Sequence, residues 1–246
     1  MYVALKVFYL GERFYGAVRQ PNLPTVQEEL ENALKMQGIE ARVKFTSRTD
    51  RGVSAIDNVA YYRGKAPEVG LLNVHMRDVL AWGVYEGPER PIALKKTYLY
   101  VIPEPVDPDR FLGAIEKSFR WEGICKGGEG SPKAEPEVRV EVEGPITLVW
   151  FSSSSFCWQM IRRSIGYALS LIHGTRFSVA PPDGLVLVKT QTNVNFSLKP
   201  RWLALLEERV KKLMWKCAGS YGIYKGLTSS GLLQSLFRGR TTLFYP

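Results

Sequence analysis

Apolar and polar side chains alternate from Tyr2 to Tyr9, the period-two signature of a strand with one face buried. After a polar, glycine-punctuated stretch from Gly11 to Pro24 the period changes. Val26, Leu30, Ala33, Leu34 and Gln37 fall on one side of a helix; Thr25 and Glu28 stand before it at the spacing of a capping box, and Gly38 is a natural stop. Ala41 to Thr46 and Val59 to Arg63 read as strands. Leu71 to Ala81 reads as a short helix followed by a strand through Tyr85, and Thr97 to Ile102 as another strand. Asp107 to Phe119 is helical, with Pro108 in its first turn, and Glu137 to Val142 with Ile146 to Phe151 form a hairpin around Gly144-Pro145. Ser152 to Ser155 is loop-like. From Cys157 to Ile172 the residues Ile161, Ile165, Ala168, Leu169 and Ile172 share one helical face, ended by Gly174. A turn at Pro181 to Gly184 leads into a strand from Leu185 to Lys189. A last amphipathic helix, Trp202 to Met214, has Leu203, Leu206, Val210 and Leu213 inward.

Strand-helix-strand-strand order occurs twice, without a detectable sequence repeat. That order predicts an α+β architecture with a largely antiparallel sheet and helices packed on one face. Pro88 and Pro91 mark a junction, dividing the chain into halves 1–92 and 93–246.

The chain of 246 residues has the composition of an ordinary globular protein, 45% hydrophobic and 23% charged. No apolar run reaches the length of a membrane span and the first residues lack a signal peptide's layout, so the expectation is a cytoplasmic protein with no membrane partner. Cys125, Cys157 and Cys217 are far apart and odd in number, which argues against a disulfide framework and a Cys-x-x-Cys metal site. His75 and His173 are isolated, so neither Ser-His-Asp catalysis nor a histidine metal site is expected: His75 reads as a loop or surface residue, His173 as a helix-end residue. The net charge of +9 is uneven: residues 195–246 carry +7 of it. There basic residues interleave with Trp202, Trp215, Tyr221, Tyr224 and Phe237, as for a phosphate-rich partner, or as a solvated helix whose aromatics belong to the core.

The segment Arg48-Thr49-Asp50-Arg51-Gly52-Val53 carries the chemistry. It sits between two strands, with one carboxylate flanked by arginines and a glycine free to take φ > 0 just after it. Opposite charge favours the ionised acid, and such a carboxylate suits nucleophilic or base chemistry without metal or cofactor. The bland alternative is a surface turn with a structural ion pair. Arg162 and Arg163 stand near a helix start, where the dipole disfavours cations unless an anion is close. No phosphate loop of the Gly-x-x-x-x-Gly-Lys type is present, which excludes the commonest nucleoside triphosphate chemistry.

Together these segments resemble the tRNA pseudouridine synthase A (TruA) family. Tyr9-Leu10-Gly11 through Thr25-Val26-Gln27 is similar to its opening loop and helix, and Arg48 to Ala55 to its catalytic motif. Lys96-Thr97-Tyr98-Leu99-Tyr100 resembles its Arg-x-Tyr-x-Tyr strand, Met160 to Gly166 the helix supplying an active-site arginine, and Pro181 to Leu187 its last active-site strand. Ser47, Arg51 and Ser54 depart from that pattern, and a His-Asp-Phe signature is absent near Phe119-Arg120-Trp121.

The resemblance implies two similar halves whose sheets form one extended sheet, with an active cleft between them. It implies a homodimer that converts uridine to pseudouridine in the anticodon arm of tRNA, with no cofactor. Asp50 would be the essential nucleophile or base. Arg162 would hold it, with Arg163 as the rival for that role; Tyr98 would stack on uracil and assist proton transfer; Arg48 would contact phosphate or help displace the base. Leu187, a pocket-wall candidate, reads better as core. Two other functions fit part of the pattern: a non-catalytic RNA-binding protein with an RRM-like sheet, and a synthase of the same fold acting on other RNA sites.

Overall fold

The computed structural model describes residues 1–126 and 134–213. The chain divides into a compact unit Met1–Trp202 and a second unit, Leu203–Pro246. The first contains β1 (Tyr2–Tyr9), α1 (Val26–Lys35), β2 (Lys44–Phe45), β3 (Ser54–Arg63), α2 (Val69–Val74), β4 (Val79–Gly87), β5 (Ala93–Ile102), α3 (Pro108–Ser118), β6 (Glu137–Glu143), β7 (Ile146–Ser153), α4 (Met160–His173) and β8 (Leu185–Thr192). The last six elements repeat the order of the first six. Their pairing repeats as well: β1 lies between β3 and β4 with β2 against β3, and β5 lies between β7 and β8 with β6 against β7, all antiparallel. A short parallel contact, Ser54 with Val186 and Ala55 with Leu187, joins β3 to β8 and makes one eight-stranded sheet. This is the α+β architecture of two similar, largely antiparallel halves that the sequence predicts.

Caps fix the helix ends. The Thr25 hydroxyl accepts the Glu28 N–H (3.2 Å) at α1, Asp107 accepts the Arg110 N–H (2.8 Å) at α3, and Gly174 ends α4 in the left-handed region. Leu30 and Leu34 of α1, Leu72 of α2, Phe111 and Ile115 of α3, and Ile161 and Ile165 of α4 join Val3, Leu5, Val7 and Ile102 in one core cluster. The helices therefore share one face of the sheet. On the other face, Ala4, Val59 and Tyr61 form a small separate cluster.

Polar bonds reinforce the β3–β8 contact. Asp57, 5% exposed, accepts bonds from Lys6 Nζ on both carboxylate oxygens (2.6 and 2.8 Å) and one from the Thr190 N–H (3.2 Å), while its own carbonyl accepts from the Thr190 hydroxyl (2.6 Å). One carboxylate thus ties β1, β3 and β8 together.

Several expectations are corrected. β3 begins at Ser54 rather than Val59, because Ala55 and then Asp57 to Tyr62 are buried on both faces and show no alternation. β2 shrinks to two residues, paired only with Ala60 and Tyr61. β7 runs on through Ser153 into the expected loop. α4 starts at Met160, not Cys157, because Gln159 takes a left-handed conformation (φ 60°). Cys125 and Cys157 form a disulfide, against the expectation from cysteine spacing. Packing of α3 on α4 brings the segment after one beside the segment before the other, and separation along the chain carries no sign of that. Residues 200–213 are helical as expected, but Leu203 is 41% exposed rather than inward. Met214, Trp215, Cys217, Tyr221, Tyr224 and Phe237 lie outside the described residues.

Removing one partner of a buried ion pair strands the other, so Asp57→Ala should lower the unfolding free energy by about 3–5 kcal/mol in urea titration. A second expectation concerns alkaline pH. Burial raises the hydroxyl pKa of Tyr9, Tyr62 and Tyr98, the last to about 12. The folded chain then keeps protons that the unfolded chain releases near pH 10, so stability is full below about pH 10 and falls above it. Tyr98→Phe should flatten that fall in denaturation curves measured on either side of about pH 10.

Candidate active site

The loop from residue 46 to 53 leaves β2 and enters β3, and its backbone is held from several sides. The Ala17 N–H donates to the Thr49 carbonyl (3.1 Å) and the Gly52 N–H to the Phe14 carbonyl (3.4 Å). Buried Asn58 donates to the Ser47 carbonyl and to the Tyr9 hydroxyl, and that hydroxyl bonds Thr49 Oγ1 (2.7 Å). Gly52 adopts φ +81°, the turn expected just after the acid. Gly11 lies so close that a Cβ there would sit 2.2 Å from the Gly52 carbonyl oxygen. Only glycine lets this neighbouring turn close down on the loop.

Asp50 emerges from this frame 28% exposed. Its Oδ2 faces Arg162 Nη1 at 3.5 Å, and its Oδ1 accepts the indole N–H of Trp158 at 3.2 Å. Arg162 belongs to the first turn of α4 and is 13% exposed; its Nε donates to the Ala180 carbonyl (2.7 Å), which aims the guanidinium. The Asp50 carboxylate supplies the anion that a cation at a helix start requires. Arg163 points elsewhere: it donates to the Gly123 carbonyl and lies over the Trp121 and Phe177 rings. The structure thus selects Arg162 as the partner of Asp50.

The flanking arginines do not fill the role that their sequence position suggests. Among the described residues neither pairs with Asp50. Arg51 lies over the Tyr15 ring at 4.2 Å, and exposed Arg48 lines a separate groove of about 560 Å³ with Arg42, Lys44, Phe45, Tyr61 and Arg90. Arg42, Lys44 and Arg48 have no acidic partner among the described residues; Arg90 donates to the Tyr61 hydroxyl (2.9 Å). The groove therefore presents uncompensated positive charge beside the Asp50 loop.

Tyr98 stands mid-strand in β5, opposite Phe151 and Leu187 and edge-on to Phe156 (5.2 Å), and is 9% exposed. Burial pushes its hydroxyl pKa up to about 12, with a further rise from the Asp50 charge, so it keeps its proton near neutrality. Leu187 is fully buried core, as read. Trp158 was not anticipated: the apolar stripe placed it inside a helix. The one local sign was a large aromatic just ahead of the Arg162 turn.

The site holds a carboxylate against a guanidinium and an indole N–H, with a protonated phenol near enough to feel its charge, and the loop that carries it also sends Arg48 into a cationic groove. Among the described residues no cluster of three His, Cys, Asp or Glu could hold a metal, and no helix is long and apolar enough to cross a membrane.

No family model matches the chain. It is similar to proteins named tRNA pseudouridine synthase A from three archaea. That of Thermococcus sibiricus is 37% identical over 187 residues, 67% of this chain and 69% of the relative. Those of Pyrococcus abyssi and Pyrococcus furiosus are 32% and 31% identical, covering 90% and 92% of this chain and 97% of each relative. Among solved structures, a chain of a Cbf5-Nop10-Gar1 complex matches with a TM-score of 0.39 and 16% identity, over 76% of this chain and 49% of that one, a likeness too slight to carry weight. Similarity at this level across nearly the whole length of two relatives means that the chain belongs to the tRNA pseudouridine synthase A family.

Proposed function

We propose that the protein isomerises uridine to pseudouridine in the anticodon arm of tRNA, with Asp50 as the essential group and no cofactor. The observation that carries this reading is the placement of Asp50, from the 1–92 half, against Arg162, from the 93–246 half, with buried Tyr98 close enough to feel its charge. A carboxylate held in this way can attack carbon or take a proton. Arg162 orients it. Tyr98 meets the uracil and holds a proton for transfer. Because a base in a stem or loop is stacked, the target must be flipped out, at a cost of a few kcal/mol. Phosphate contacts offset that cost, and Arg42, Lys44 and Arg48 in the adjoining groove suit them. A cytoplasmic homodimer completes the reading: one protomer carries out the chemistry while its partner grips more distant parts of the tRNA.

Unmodified tRNA transcripts incubated with wild type, without metal or nucleotide, should acquire pseudouridine when mapped at single-base resolution. Asp50→Ala should lower the rate by about 10³-fold or more, the scale of losing the reacting group. Binding by both proteins with product from neither would favour a non-catalytic RNA-binding protein instead. Product at uridines outside the anticodon arm would favour a synthase of different site choice. Lys44→Ala should weaken tRNA binding and reduce the slope of log affinity against log salt by about one, the signature of one lost phosphate contact.

A further inference from the structure

We infer that Trp158 is a positioning residue for Asp50, and that the Cys125–Cys157 disulfide holds its indole on the carboxylate. The inference rests on the reading of Asp50 as the reacting group. Arg162 Nη1 comes closest to Oδ2 (3.5 Å), an ion-pair distance, while the Trp158 N–H donates a hydrogen bond to Oδ1 (3.2 Å). A cation on its own leaves a carboxylate free to swing about its Cβ–Cγ bond, whereas a directed N–H on the other oxygen fixes its plane.

Packing does not account for the placement of Trp158. The side chain is 51% exposed, so a large apolar ring is left partly in water although its burial would be favourable. What keeps it there is a set of attachments to one short segment. Cys157, the residue before it, is bonded to Cys125; the Lys126 N–H donates to the Trp158 carbonyl (3.0 Å); and the Lys126 ammonium lies 4.3 Å over the indole ring. On the far side of Gln159, Arg163 donates to the Gly123 carbonyl and fastens the same segment to α4. Between these fastenings Gln159 sits in the left-handed region (φ 60°), which costs a non-glycine residue about 1 kcal/mol or more and persists only where the surroundings over-determine it. The apolar stripe from Cys157 runs in helical register, so the relaxed alternative is a helix begun three residues earlier, with the indole carried off its present path.

The test is single-turnover kinetics on tRNA at saturating and sub-saturating enzyme, with thermal melts to confirm folding. Trp158→Phe keeps the ring but removes the N–H; it should lower the maximal rate about tenfold, the worth of one hydrogen bond to a charged group, with little change in apparent affinity. Trp158→His, which restores a ring N–H, should recover part of the loss. Reducing the disulfide with dithiothreitol, or replacing both cysteines by Ser, should slow wild type to a similar degree and leave Trp158→Phe no slower. An unchanged rate for folded Trp158→Phe would overturn the inference. So would a loss lying wholly in affinity, or a reductant effect as large in Trp158→Phe as in wild type. Absence of product from wild type would instead sink the synthase reading, and this inference with it.

Discussion

The parallel contact between β3 and β8 spans two register pairs, yet it sets the surroundings of the Asp50 carboxylate. The Asp50 loop runs directly into the N-terminal end of β3, so whatever lies beside that end becomes its environment. Beside it is the start of β8 with the turn that precedes it: Pro182 lies so close to Gly52 that a Cβ on the glycine would come within 2.8 Å of the ring. Ala180, just upstream, takes the bond that aims Arg162. A buried Lys6–Asp57 pair is a costly way to reinforce the contact, since both charges must be desolvated. In return the carboxylate joins three strands at the point where the halves meet, which an apolar pair of similar volume would not do by directed bonds.

Around Asp50 the balance of charge is local and asymmetric. The carboxylate meets one guanidinium and one neutral N–H, while Arg48 of the same loop joins Arg42 and Lys44 in a groove with no acid of its own among the described residues. Uncompensated arginine and lysine on a concave surface contribute little to folding, because exposed charges interact weakly in water. Their natural complement is a polyanion, whose phosphates release counterions on binding.

Local sequence rules recovered what is locally determined. Thr25 and Gly174 cap their helices because each cap is a bond within a few residues. The Gly144-Pro145 turn fixes its hairpin for the same reason, and Gly52 takes the positive φ that the Asp50 turn demands. What stayed hidden depends on residues far apart in the chain. Arg48 and Arg51 flank Asp50 in sequence, but its guanidinium partner lies 112 positions away. The early start of β3 was masked because a strand buried on both faces loses its alternation. The left-handed Gln159, the disulfide and the indole contact belong to one clamp. None of its members shows in the apolar period, which continues in helical register straight through it.

The shortness of β2 has a consequence for assembly. By topology β2 and β6 are counterparts, yet β6 covers β7 from Ile146 to Ser152 whereas β2 meets only Ala60 and Tyr61. The uncovered part of β3 is what β8 occupies. Joining β3 of one repeat to β8 of the other is a head-to-tail contact, the kind that in principle recurs without end. A second copy docking by the same rule would need the matching edge of β7, and β6 seals it. At the opposite end a bridge from Ser197 to Val84 occupies the outer side of β4. Trimming one strand and keeping its counterpart whole thus lets the repeat add once and then stop, which turns a motif with the geometry of a filament into a closed pair with the Asp50 loop at its joint.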